Sequence, residues 1–165
     1  MTRLESLVLE FAHETATTRT HLARLPDAAF AWRPHPKSFT AGQLACHIVD
    51  CIGLATAVFG ADELDIDPAA HQACQAASAA ALIETFDAAV AAALAAMAGS
   101  DDSDAVRPWR FKIRGKVRFE KSREAAFRDM ALSHLVHHRG QFSVYLRLLD
   151  VRVPGSYGPT GDDAG

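Results

Sequence analysis

The sequence predicts an all-α protein, a four-helix bundle, on three observations. Alanine, which has no side-chain rotamer entropy to lose in a helix, is concentrated between Ala69 and Ala98. Four segments repeat apolar residues at the helical period of 3.6. Each carries a single apolar stripe, and such stripes bury best against one another.

The first helix is expected over about 2–25, with Leu4, Val8, Phe11, Thr15, Thr18, Leu22 and Leu25 as its stripe and Pro26 as its stop. The second is expected over about 40–59. Thr40 reads as its N-cap, Gln43 as the reciprocal half of a capping box, and Gly60 as its end. Its stripe runs Leu44, His47, Cys51, Ala55, Val58. The third, about 78–98, aligns Leu82, Phe86, Val90, Leu94 and Met97 and stops at Gly99. The fourth, about 122–149, aligns Phe127, Ala131, His134, His138, Phe142, Tyr145 and Leu149, with Ser122 as cap. Between the third and fourth, residues 109–119 alternate apolar and basic side chains around Gly115, and period two predicts a short β-hairpin. Residues 26–39 hold Pro26, Pro34 and Pro36 and form a loop. No repeat or boundary divides the chain, so a single domain over 1–165 is expected.

With 17 Lys plus Arg against 20 Asp plus Glu, the net charge is −3 in 165 residues, and apolar residues make up 49%. A chain of this size and composition buries a core without needing a disulfide or metal. Its three cysteines, an odd number, argue against a disulfide scaffold and for a reducing compartment. The segment Met1-Thr2-Arg3-Leu4-Glu5 turns polar too soon for a signal peptide, and every long apolar run is interrupted. A cytoplasmic protein with no membrane partner is expected.

His134 and His138 lie four residues apart, which on a helix stacks their rings on one side about 6 Å apart. His47 falls on the inward line of the second helix and is the third candidate ligand for a divalent metal. The competing reading is three hydrogen-bonded core histidines. Burying three unpartnered imidazoles costs on the order of 1–3 kcal/mol each, whereas one ion satisfies all three. Cys51, one turn after His47, is either a fourth ligand or a small buried apolar residue. Asp50 either orients a ligand imidazole or is a solvated surface carboxylate. His137 sits to the side of the stripe, suited to supporting a ligand or facing a substrate. The run His-Leu-Val-His-His over 134–138 lacks the glutamate of the H-E-x-x-H metalloproteases, and there is no Walker loop, Gly-x-Gly-x-x-Gly or Cys-x-x-Cys.

Residues 107–123 hold Arg107, Arg110, Lys112, Arg114, Lys116, Arg118, Lys121 and Arg123 among Trp109, Phe111 and Phe119. This suits a phosphate backbone or a hairpin with one solvated basic side, and the negative overall charge favours the hairpin over nucleic acid.

Trp32-Arg33-Pro34, then Pro36-Lys37-Ser38-Phe39-Thr40, then His47, and above all His134-Leu-Val-His-His138-Arg139-Gly140-Gln141, resemble the DinB/YfiT-like family of bacterial metalloproteins. The terminal segment Val153 to Thr160 resembles it too. The resemblance implies a four-helix bundle, often homodimeric, in which His47, His134 and His138 bind a divalent metal. Some members of that family are transferases or isomerases that use bacillithiol, mycothiol or glutathione.

Three neutral imidazoles leave a coordination position open, the pattern of a catalytic centre. The expected chemistry is therefore activation of a water or a low-molecular-weight thiol for attack on a small electrophile, as a transferase or hydrolase, with zinc or nickel as the ion. Asp50, His137, Arg139 and Tyr145 are the candidate catalytic residues, with Gln141 as a further helper. Arg139 and Gln141 have the alternative of capping the helix surface or bridging to the second helix. Gly140, costly inside a helix, suggests close approach of another backbone. The alternative function is a non-catalytic, structural metal-binding dimer.

Overall fold

The computed structural model describes residues 1–70 and 72–163. It is mostly helical with a small three-stranded sheet. The first helix, α1 (Arg3–Leu22), starts at a capping box in which Thr2 and Glu5 satisfy each other's backbone N–H groups. It stops three residues before the expected Leu25, because the N–H groups of Arg24 and Leu25 turn back to the carbonyls of His21 and Leu22 in tighter turns. A single 3₁₀ turn, Asp27–Ala29, follows in the proline-rich loop.

The second helix, α2 (Ala41–Gly60), begins at the expected Thr40 and Gln43 capping box. It is buried around most of its circumference by Leu44, Ala45, Ile48, Ile52, Ala55 and Val58. Its last carbonyls are capped from a distance: the Arg123 guanidinium donates to the carbonyls of Val58 and Ala61 and to Asp62. A cation there complements the negative end of the helix.

The expected hairpin is present as β2 (Pro108–Ile113) and β3 (Lys116–Ser122), joined by Arg114 and Gly115 at φ 50° and 74°. Positive φ at both central residues matches the right-handed twist of the strands. The sequence reading missed β1 (Glu63–Ile66), which pairs in parallel with β2 from Glu63 opposite Arg110 to Ile66 opposite Ile113. Trp109 is fully buried and packs with Phe111 and Phe119.

Next, α3 (Ala79–Ala98) is capped by Ser78 and buries Leu82, Phe86, Ala93 and Met97, with the expected Val90 and Leu94 only half-buried. A short α4 (Asp102–Val106) precedes the β2–β3 hairpin. The single fourth helix expected over 122–149 is resolved into α5 (Arg123–Phe127), a π turn (Arg128–Leu132) and α6 (Ser133–Leu148). In the π turn the Ser133 N–H reaches back five residues to the Arg128 carbonyl. Such wide turns recur beside functional sites. Gly140 on α6 needs correcting: a Cβ there would meet nothing within 4 Å, so no backbone approaches it closely.

The long helices pack in a ring of contacts: α2 against α3 and α6, and α1 against α3 and α6. Both α2 and α3 are long and apolar enough to cross a membrane by length and composition. The apolar window of α2, however, is 61% buried within the protein, as a core helix would be.

The start of α2 depends on Gly42, where an added Cβ would lie 2.7 Å from Phe30 Cδ1 and 3.0 Å from the Phe30 carbonyl oxygen. Gly42→Ala should therefore destabilise the protein by about 1–3 kcal/mol in a denaturant titration, where an exposed helical glycine replaced by alanine ordinarily stabilises.

Candidate metal centre

Two one-turn pairs face each other across the contact between α2 and α6. His47 and Cys51 project from α2, His134 and His138 from α6. One ligand atom from each of these four residues lies within 4.8 Å of all the others. The ring centroids of His47 stand 5.1 Å from His134 and 4.5 Å from His138, which are themselves 4.7 Å apart. A tetrahedral ion at 2.0–2.1 Å from nitrogen spaces its donors about 3.4 Å apart, so side-chain adjustment of about 1 Å closes the group around one ion.

Internal hydrogen bonds orient two of the rings. Nδ1 of His134 donates to the Met130 carbonyl in the π turn at 3.2 Å, and Nδ1 of His138 donates to Gln141 Oε1 at 2.8 Å. With the proton fixed on Nδ1, each Nε2 keeps its lone pair, the arrangement that metal-ligating histidines share. Burial, then the neighbouring His47, His134 and His137, push His138 down to about 4, against the opposing pull of Gln141. Its imidazole is thus neutral through the physiological range. Burial and the nearby Asp50 carboxylate push the Cys51 thiol up to about 12.

The other expected residues fall into different surroundings. Asp50 Oδ1 accepts the Cys74 N–H at 2.9 Å and so ties the segment before α3 onto α2. His137 is exposed, its ring 4.9 Å from that of His138. Tyr145 donates its hydroxyl to the Phe39 carbonyl at 3.1 Å and stands edge-on to Trp32. Gln141 supports His138, as described. Arg139, a candidate catalytic residue with capping of the helix surface or a bridge to the second helix as its alternative, bridges instead to α1. Its guanidinium, 2% exposed, meets Glu14 at 2.6 Å and donates to the Tyr157 hydroxyl, which in turn donates to Glu14. This network is separate from the four donors. The partners Glu14 and Tyr157 were not singled out in the sequence reading: Glu14 is one charge beside the apolar stripe of α1, and Tyr157 lies in the terminal segment, far from both helices in sequence.

Phe39 was also missed as a site residue. Its ring lies 5.7 Å from that of His47, and it borders two cavities. One, about 840 Å³, is lined by Phe30, Cys46, His47, Asp50 and Cys74. The other, about 400 Å³, is lined by Ser38, His138, Gln141 and Tyr145. Of the four donors, His47 lines the first cleft and His138 the second, and both clefts are open and of small-molecule dimensions.

A family model described as the DinB family matches residues 1–164, and the chain belongs to that family. Among solved structures, a DinB-like protein from Bacillus cereus ATCC 10987 is similar over 93% of this chain and 97% of its own, at 22% identity and a TM-score of 0.74. A DinB-like protein from Bacillus subtilis is similar over 94% of this chain and 99% of its own, at 16% identity and a TM-score of 0.72. At these identities the likeness shows the fold. Comparison with curated proteins gives no match.

Two outcomes follow from this geometry. Because His138 titrates at about 4 when folded and at 6.5 when unfolded, the unfolded chain binds the extra proton first, and metal-free protein should lose stability as pH falls from about 6.5 to 4. Thermal melts of the metal-free His138→Gln variant should show a shallower slope over that window. Separately, Arg139→Ala leaves Glu14 buried without its partner and should cost about 3–5 kcal/mol in chemical denaturation.

Proposed function

We propose that this DinB-family protein is a four-helix bundle holding a divalent ion on His47, His134 and His138, and that it is a metal-dependent enzyme acting on a small molecule. The observation that carries the reading is the convergence of these donor atoms, with His47 and His138 each bordering a cleft and the Nδ1 positions of His134 and His138 already occupied by internal acceptors. Nitrogen donors of this kind suit zinc or nickel. When bound, such an ion supplies the Lewis acidity that lets a water or a low-molecular-weight thiol lose its proton near neutral pH.

The chain's own residues supply the rest. Gln141 and the Met130 carbonyl hold the α6 imidazoles in one tautomer and orientation. Asp50 presents a negative carboxylate to the larger cleft, one helical turn from His47, where it orients a hydrogen-bond donor or a cationic group of the substrate. His137, exposed beside His138, is placed to pass a proton to or from solvent. Tyr145 fixes Phe39, which screens His47 from water. We assign Arg139 to positioning α6 against α1.

A small electrophile is the substrate class this reading favours, with the thiol as cosubstrate and a homodimer as the assembly. Nucleic acid is not the partner proposed. In the basic segment Arg107, Arg110, Lys112, Arg114, Lys121 and Arg123 each pair with a carboxylate, and that neutralises the surface a phosphate backbone needs. A cytoplasmic location fits the free cysteines.

Elemental analysis of the purified protein tests the ligands: wild type should carry stoichiometric zinc or nickel, and His134→Ala and His138→Ala should each lose most of it. Turnover of a panel of electrophiles with several small thiols tests the enzyme. Conjugation that disappears on chelation and returns with the ion is the expected result. Metal retention with no turnover, and only a lowered Tm on chelation, would make the protein a non-catalytic metal-binding bundle.

A further inference from the structure

We propose that Cys51 is the fourth protein ligand, so that the centre is a mixed shell of three imidazole nitrogens and one thiolate sulfur. The inference rests on the reading of the three histidines as ligands, and it changes what kind of centre they make.

The argument begins with spacing. His47 and Cys51 are four residues apart on α2, just as His134 and His138 are on α6, so each helix offers two side chains one turn apart on the face it turns to the other. Four donors from two such pairs make a tetrahedral set, the arrangement preferred by zinc. A cysteine that merely filled space on α2 could point its sulfur anywhere in the core. This sulfur lies within 4.8 Å of the donor nitrogens of all three histidines. It is also sealed in: Cys51 is 1% exposed, so solvent does not compete for it.

The other two cysteines are different. Cys46 and Cys74 line the larger cleft and lie outside the four-donor group. The protein thus has one sulfur aimed at the histidines and two that are not.

Ligation replaces the S–H bond of Cys51 with a sulfur–metal bond, and the proton leaves to solvent; no electron is transferred. The thiolate offsets one of the ion's two positive charges. An ion so neutralised acidifies water less than one held by imidazoles alone, which moves the proposed chemistry away from hydrolysis and toward a thiol cosubstrate. Sulfur also selects zinc, cobalt, nickel or copper over magnesium and manganese, which take oxygen. Substrate would enter by raising the coordination number from four to five.

Cobalt(II) spectroscopy of the metal-stripped, cobalt-loaded protein tests this directly, since a thiolate ligand adds a near-ultraviolet sulfur-to-cobalt charge-transfer band that imidazole and water do not. The band should appear in wild type, persist in the Cys46→Ser/Cys74→Ser double variant, whose sole thiol is Cys51, and vanish in Cys51→Ser. Zinc affinity measured by chelator competition should fall at least about tenfold in Cys51→Ser, no less than the loss typical of a mere supporting residue. Cobalt bound with visible ligand-field bands but no charge-transfer band in the double variant would overturn the sulfur ligand and leave the histidine ligands intact. No cobalt binding by wild type would overturn both. The double variant carries the decision whether or not Cys51→Ser folds.

Discussion

The centre depends on α2 lying against α6 closely enough for a one-turn pair of side chains on each to share the same few ångströms of space. Apolar packing brings this about: Ile48 and Ile52 on α2, and Leu135 and Phe142 on α6, are all completely buried in the core these helices share. Hydrophobic contact thus supplies the free energy that holds three imidazoles and a thiol where water cannot fully solvate them. Burial is the largest cause that lowers the basicity of His138 and raises that of Cys51.

The remaining polar groups make the shared space specific. Met130 and Gln141 fix two rings, and Met130 lies in the π turn just before His134. The Arg139, Glu14 and Tyr157 network locks α6 to α1 and pins the C-terminal segment over both. A buried ion pair of this kind contributes little net stability relative to an apolar replacement, but it penalises any rotation of α6 that would separate the charges. That same rotation would carry His134 and His138 away from His47. The site's geometry is therefore held on one side by packing and on the other by a charge pair that has no contact with it.

Much of this was legible in the residues. The four periodic stripes locate every long helix, and Thr40 with Gln43, and Ser122, mark two of the starts to the residue. The i, i+4 histidines and the inward line of α2 identify the residues that converge. What escaped was non-local. The strand β1 is four residues long and exists because β2 lies beside it, a pairing its own alternation does not announce. The π turn leaves the apolar period of the fourth segment nearly intact, so only hydrogen-bond geometry distinguishes it from a continuous helix. Arg139 follows His138 directly, but on a helix the next residue is rotated by about 100°, and here it meets Glu14 of α1, a partner its position in the motif does not announce.

The fold of this DinB-family chain brings three imidazoles and a thiol into a group that could hold one metal ion, with His47 and His138 bordering clefts of small-molecule size. Anomalous diffraction at the zinc edge, from crystals grown with zinc, tests it most directly. The account predicts one strong peak at about 2.0–2.1 Å from Nε2 of His134 and His138 and at bonding distance from His47. Zinc found only at surface carboxylates, with the three rings as far apart as they are without it, would contradict the account.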